Sequence, residues 1–295
     1  MLSPSLQTGH ASRPSAKAAN LYAEVTEGCT GPACLFIHGF MSSRAQWLLN
    51  LEALKKVCSP VVVELWGHGR SPAPKDPALY TIESFCAEFE ALREQLGIEE
   101  WFVFGQSMGA GLALHYAHAY QARVMGVVLT NSGVVLSTPE TFANRASQVP
   151  LASLKLGGPA ARFALESMPM HVKHASRLPV AVKTEMLADA DLLNPQAIAM
   201  LMQYCLPSLS ALGIIERLPM PMMLLNGSFE SNFQPLRDLA LTLLPSLEVV
   251  DLPGGHAINA ECADAANVAV VDFFDRLIKK KEQHQKVPKK QGLTP

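Results

Sequence analysis

The sequence predicts an α/β fold in which a mostly parallel central sheet is flanked by helices. Short apolar runs of strand length alternate along the chain with stretches of helical spacing. The runs end in glycine-bearing turns, as at His38-Gly39, Gly67-His68-Gly69 and Gly254-Gly255. A third observation is the stretch from Trp101 to Leu114, W-F-V-F-G-Q-S-M-G-A-G-L-A-L, where four aromatic or β-branched residues lead through a turn into a small-residue helix. Four such residues in a row read as a strand buried on both faces, which is the habit of parallel sheets.

A chain of 295 residues with 49% hydrophobic and 17% charged residues can bury a large core, as one large α/β domain or two of average size. A formal net charge of −2 offers no basic face for nucleic acid. No apolar run reaches the ~18 residues of a membrane span. The six cysteines are scattered without paired C-x-x-C motifs, and with no secretory signal they read as reduced thiols of a cytoplasmic protein. Neither a cofactor nor a metal is expected. The oligomeric state, monomer or homodimer, stays open.

Taken in order, residues 1–20 are rich in Ser, Ala and Pro, contain no acid, and read as a disordered tail. Leu21 to Thr26 alternates as a strand, and Ala33 to Ile37 is a continuous apolar run ending in His38-Gly39-Phe40-Met41. A loop behind such a strand places the backbone N–H of Phe40 above the sheet edge. Helical spacing over Trp47 to Lys56 precedes the strand Pro60 to Leu65. In the turn that follows, His68 sits between two glycines and is read as structural. Ile82, Phe85, Phe89, Leu92 and Leu96 repeat at helical spacing, and Gly97 closes that helix. Val124 to Thr130 is the strand after the Trp101–Leu114 stretch.

From 137 to 217 the alternation of strand and helix stops. Pro150, Pro159, Pro169, Pro179, Pro195 and Pro207 divide this stretch into several helices. Its methionines, with Phe142, Phe163 and Tyr204, suit an adaptable, mostly apolar pocket wall. Strand character returns at Pro221 to Gly227. A helix over Leu236 to Leu244 follows, then the strand Leu247 to Leu252, then Pro253-Gly254-Gly255-His256-Ala257 and an amphipathic helix from Ala263 to Ile278. The chain thus divides into a tail over 1–20, a core of 21–136 and 218–278, a helical cap over 137–217 and a basic tail over 279–295.

The chemistry gathers on a few residues. Gly105-Gln106-Ser107-Met108-Gly109 is G-x-S-x-G. A serine at a sharp strand-to-helix turn has unfavourable dihedrals, and side chains two positions either side would clash with strand or helix, so glycine suits both. The turn lifts the Ser107 hydroxyl clear of the sheet and leaves the Met108 N–H at a helix N-terminus. Serine needs a base, and His256 lies in a glycine-rich loop after a late strand. Loops after parallel strands converge on one edge. Glu230, three residues past Gly227, is placed to orient that imidazole, giving the chain order nucleophile, acid, histidine. The amides of Phe40 and Met108 would form an oxyanion hole.

With these motifs in this order, the chain from about Leu21 to Ile278 resembles the α/β-hydrolases of the capped group that includes esterases, carbon–carbon bond hydrolases and menaquinone-pathway lyases. His38-Gly39-Phe40, Gly67-His68-Gly69-Arg70-Ser71, the turn at Ser107, Gly227 with Glu230, and Gly255-His256-Ala257 carry the resemblance. It implies the α/β-hydrolase fold with a helical cap after the sixth strand. It also implies a catalytic triad of Ser107, His256 and Glu230, and a pocket that takes in His38 and Gly39. Glu230 departs from the family's usual aspartate, although some relatives use glutamate; the family's other acid position offers only Asn131. Ala257 stands where carbon–carbon hydrolases often carry an aromatic residue. The expected activity is that of a serine hydrolase, carboxylesterase-like, cleaving an ester or related acyl bond of a small, largely apolar substrate through an acyl-enzyme. A lyase or acyltransferase on the same residues, and a slow-turnover ligand receptor, are the open alternatives.

Overall fold

A computed structural model describes residues 20–138 and 151–286. Residues 1–19 of the tail expected over 1–20, Phe142, Pro150 and residues 287–295 lie outside the described residues. Seven strands form one sheet: β1 (Ala23–Val25), β2 (Ala33–Ile37), β3 (Ser59–Val63), β4 (Trp101–Gly105), β5 (Val124–Thr130), β6 (Met222–Gly227) and β7 (Glu248–Leu252). Their order across the sheet is β1-β3-β2-β4-β5-β6-β7, and apart from the antiparallel β1–β3 pair every pairing is parallel.

The pleat sorts the core into two layers, because neighbouring side chains of a strand point to opposite faces. Leu35, Ile37, Val61, Val63 and Val103 pack on one face against α2 (Ile82–Gln95) and α3 (Met108–Ala119). Cys34, Phe36, Val62, Phe102 and Phe104 pack on the other against α1 (Leu48–Leu54) and the long C-terminal helix. On that second face Phe102 stacks on Phe274 with ring centroids 4.0 Å apart, and Trp47 meets Phe36 and Phe104 at 5.2 and 4.7 Å. Such pairs add about 0.5–1.5 kcal/mol each beyond the area they bury.

Among the described residues four α-helices fall between β5 and β6: α4 (Leu151–Leu156), α5 (Gly158–Ser167), α6 (Val180–Ala190) and α7 (Pro195–Met200). They follow the fifth strand counted from β1, the first strand among the described residues. Pro159 and Pro195 stand in the first turn of α5 and α7, and Pro179 precedes α6, where a missing N–H costs nothing. After β6 come α8 (Gln234–Leu243), α9 (Ile258–Glu261) and α10 (Ala263–Lys286). Residues 279–286, read from sequence as part of a solvated basic tail, continue α10 instead. Ion pairs hold that last stretch, Lys279 to Asp275 at 3.1 Å and Lys281 to Glu100 at 2.6 Å.

Two polar devices fix the loops at the sheet's C-terminal edge. Behind the β7 loop, the buried side chains of Gln46, Asn50, Asn259 and Asn267 satisfy one another. Gln46 Nε2 donates to Asn259 Oδ1 (2.8 Å), Asn259 Nδ2 to Asn50 Oδ1 (3.0 Å), and Asn50 Nδ2 to Asn267 Oδ1 (2.8 Å). The second device is a reciprocal clasp between the β2 and β3 loops. His38 Nε2 accepts the Leu65 amide and His68 Nε2 accepts the Met41 amide, both at 3.1 Å. Each ring must then carry its proton on Nδ1, which donates to Gly39 O (2.8 Å) and Trp66 O (3.0 Å) respectively. Both rings are fully buried, and burial pulls their pKa values down to about 4 for His38 and about 3 for His68.

Two outcomes follow. An imidazole harder to protonate in the folded chain than in the unfolded one subtracts stability as pH falls. Stability should be full above the ordinary histidine pKa of 6.5 and decline as pH drops from there towards about 4. Urea midpoints of His68→Gln, which keeps an acceptor for Met41, should decline less steeply over that window; an unchanged slope would clear the clasp of this role. Separately, Phe274→Ala should lower the unfolding free energy by about 3–5 kcal/mol, and a loss in urea below about 1 kcal/mol would show that the Phe102 stack does not anchor α10.

Candidate active site

The parallel register brings five loops together. Ile37 pairs with Gly105, Gly105 with Leu129, and Gly227 with Leu252, so strands β2, β4, β5, β6 and β7 end along one edge. Ser107 sits on that edge, between β4 and α3, with φ 54° and ψ −114°. This region is costly for a residue with a side chain. A Cβ on Gly105 would run into the carbonyl of Gly109, and one on Gly109 into the carbonyl of Ile37. The expected clashes on both sides are therefore present, and the helix start lies hard against β2 and β4. Gln106 N donates to Ile37 O (2.9 Å) and Ser107 N to Thr130 Oγ1 (3.4 Å), which pins the turn to its two flanking strands.

His256 arrives from the loop after β7. Its Nε2 lies 2.8 Å from Ser107 Oγ, and its Nδ1 lies 3.0 and 3.1 Å from the two oxygens of Glu230. The imidazole side chain is 49% exposed and the Glu230 side chain 27%. The Glu230 loop is sewn to the His256 loop through its backbone: Ser228 N donates to Leu252 O and Phe229 N to Gly254 O, both at 2.9 Å. Desolvation by itself lowers the His256 pKa; the hydrogen bond and charge of Glu230, helped by the charge of Glu261, outweigh it and leave the pKa raised above 6.5.

Asn131 occupies the end of β5. Its Nδ2 donates to Glu230 Oε2 at 2.8 Å and to Gly227 O at 3.1 Å, while its Oδ1 accepts the Gly227 amide at 3.0 Å. The extra methylene of glutamate is thus accommodated by an amide that holds one carboxylate oxygen in place. Sequence reading identified Asn131 only as a position lacking an acid. The convergence of strand ends was the signal that could have paired it with Glu230. Gln106 was also missed: its Nε2 donates to the carbonyl of His256 at 3.4 Å.

The Phe40 loop lies against the turn, because a Cβ on Gly39 would strike Gln106 Oε1 and come to 3.0 Å from Ser107 Cβ. Among the described residues neither the Phe40 nor the Met108 amide donates to a protein acceptor. The residues expected to wall the pocket fare differently. His38 is fully buried in the clasp, so its ring presents nothing to a ligand and instead fixes the loop. Phe163 is 74% exposed, because α5 turns Ala161, Ala164 and Leu165 inward and leaves it on the outer face. Tyr204 is 38% exposed, with its hydroxyl accepting from Gln203 Nε2 at 3.1 Å. Arg177, from the segment before α6, places its guanidinium 4.8 Å over the ring of Phe229 and so bridges the helical insert to the Glu230 loop. Among the described residues no group of three or more His, Cys, Asp or Glu could hold a metal ion, and no helix is long and apolar enough to cross a membrane.

Comparison with known proteins gives the same architecture. The chain is 38% identical over 98 residues to the dihydrolipoyllysine-residue acetyltransferase component of the acetoin cleaving system of Cupriavidus necator, covering 33% of this chain and 25% of that protein. It is 31% identical over 142 residues to the human (lyso)-N-acylphosphatidylethanolamine lipase, covering 42% and 41% respectively. The matches therefore span a quarter to about two fifths of these relatives. Among solved structures, MenH from S. aureus superposes with a TM-score of 0.74 at 17% identity, over 86% of this chain and 98% of that one, a likeness of fold. The family model described as alpha/beta hydrolase fold matches residues 32–181, half of the sequence, and the chain belongs to that family.

Proposed function

We propose that the chain is a serine hydrolase that cleaves an ester or related acyl bond of a small, largely apolar substrate through an acyl-enzyme. The observation that carries this reading is the unbroken hydrogen-bond path from Ser107 Oγ through both ring nitrogens of His256 to Glu230. Neutral His256 accepts the Ser107 proton on Nε2 as Oγ attacks the acyl carbonyl. Glu230, held by Asn131, fixes the tautomer with the proton on Nδ1 and stabilises the imidazolium that forms. The oxyanion is received by the amides of Phe40 and Met108, whose hydrogen-bonding capacity is unspent. The imidazolium then protonates the leaving group, and neutral His256 next activates water against the acyl-enzyme. Ala110, Leu129, Val135, Leu136 and Phe233 cluster beside Thr130, whose hydroxyl accepts the Ser107 amide, and the apolar character of these neighbours supports a largely apolar substrate.

The helices between β5 and β6 act in this reading as a cap over the site. Its support is the contact of α7 with the β3 loop, where Asn194 N donates to Gly67 O at 2.9 Å and a Cβ on Gly67 would strike Ala197. Transfer of the acyl group to an alcohol or thiol in place of water would use the same residues. Adding graded alcohols to a p-nitrophenyl ester assay and separating the products distinguishes the two.

A fluorophosphonate probe should label the wild-type chain and leave Ser107→Ala unlabelled; absence of labelling in both sinks the proposal. Because Glu230 raises the His256 pKa, the rate should climb only as pH passes above about 6.5. Glu230→Gln should lower kcat by about 10⁴-fold and move that acid limb to lower pH. A limb that stays in place, or moves upward, would remove Glu230 from the role given to it.

A further inference from the structure

The helical insert frames a half-open cavity of about 400 Å³ between α5, the turn at His171 and the end of α6. Leu165, Leu187 and Leu193 form its apolar side, and Arg162, His171 and Lys173 bring nitrogen donors to it. Ser107, Glu230 and His256 do not border it. The volume is in the range of small-molecule sites, which pair an apolar wall with a few placed polar groups.

His171 is the informative side chain. It is 7% exposed, and its Nδ1 accepts the Lys173 amide at 3.2 Å. The ring proton must then sit on Nε2, and among the described residues that N–H has no acceptor. Burial, with the Lys173 charge beside it, lowers the His171 pKa, so the ring is a neutral donor at pH 7. His171 borders the cavity, so this N–H is available to donate to a guest there.

The charges around it point to the same kind of guest. Arg162 is engaged by Asp191, and its Nε lies 3.4 Å from Glu166. Lys173 Nζ stands 3.9 Å from Glu166, an ion pair too long to be a hydrogen bond, so its three N–H groups are unspent among the described residues. Glu166 and Asp191 also border the cavity, but Arg162 engages both of them, so the donors left for a guest are the Lys173 ammonium and the His171 N–H.

We propose that this cavity binds a small amphiphilic carboxylate, with its head on the His171 Nε2–H and the Lys173 ammonium and its hydrocarbon part on Leu165, Leu187 and Leu193. The site is separate from Ser107 and does not depend on the hydrolase reading. Calorimetric titration of the full-length chain with sodium octanoate, with octanol and octylamine as controls, tests it. Octanoate should bind saturably at one site and shift the His171 ring resonance in a ¹H–¹⁵N spectrum. Lys173→Met, at an exposed position that leaves the fold intact, should weaken binding at least about fivefold, the loss of roughly 1 kcal/mol of a charge-assisted contact. Leu187→Trp, which fills the cavity, should abolish it, and Ser107→Ala should bind as wild type does. Absence of saturable octanoate binding, equal binding of octylamine, full binding by Leu187→Trp, or loss in Ser107→Ala would each overturn the proposal.

Discussion

The position of Ser107 rests on a backbone conformation that its own side chain disfavours. Holding a serine at φ 54° costs of order 1–3 kcal/mol, and the structure over-determines it from three sides. β4 enters the turn with all five of its residues buried, α3 leaves it with its first seven buried, and β2 closes against Gly109. The two glycines allow backbones to meet where side chains would stand. The strain is therefore supported by the best-packed part of the molecule, and the hydroxyl is left on the edge where five loops gather.

Histidine is used in two opposite ways at the same edge of the sheet. His38 and His68 are enclosed without a carboxylate and are kept neutral, so each serves as a fixed acceptor on Nε2 and donor on Nδ1. His256 is half exposed and faces Glu230, so its charged form is favoured. The first pair can hold a loop because it does not titrate near neutrality; the third can exchange a proton because it does. Environment, not residue type, divides the labour.

Much of this was legible in the sequence wherever spacing along one element carried the information. The buried run at Trp101, the flanking glycines of Ser107, and the loops bearing Glu230 and His256 after successive strands all follow from local pattern plus the rule that parallel strands end on one edge. The reading of His68 as structural came from its place between two glycines. What escaped was set by contacts distant in sequence or by helix phase. Gln46 and Asn259 are 213 residues apart, and no local pattern joins them. Asn131 steadies Glu230 across 99 residues. Phe163 looked like a pocket wall by composition, but the apolar stripe of α5 runs through its neighbours. The C-terminal extension of α10 was hidden because a charged run reads as solvated tail until its partners, Glu100 and Asp275, are known.

The ring of amides behind the His256 loop has a bearing on how the chain can vary. Gln46, Asn50, Asn259 and Asn267 bond to one another through buried side chains and to the backbone carbonyls of Gln46, Leu49 and Asn259. Exchanging any one for an aliphatic residue orphans its neighbours, and exchanging all four would also take these donors from the carbonyls of Gln46, Leu49 and Asn259. These positions, drawn from both ends of the chain, therefore constrain one another, and an amide-bearing side chain at one of them is useful only while the others keep theirs.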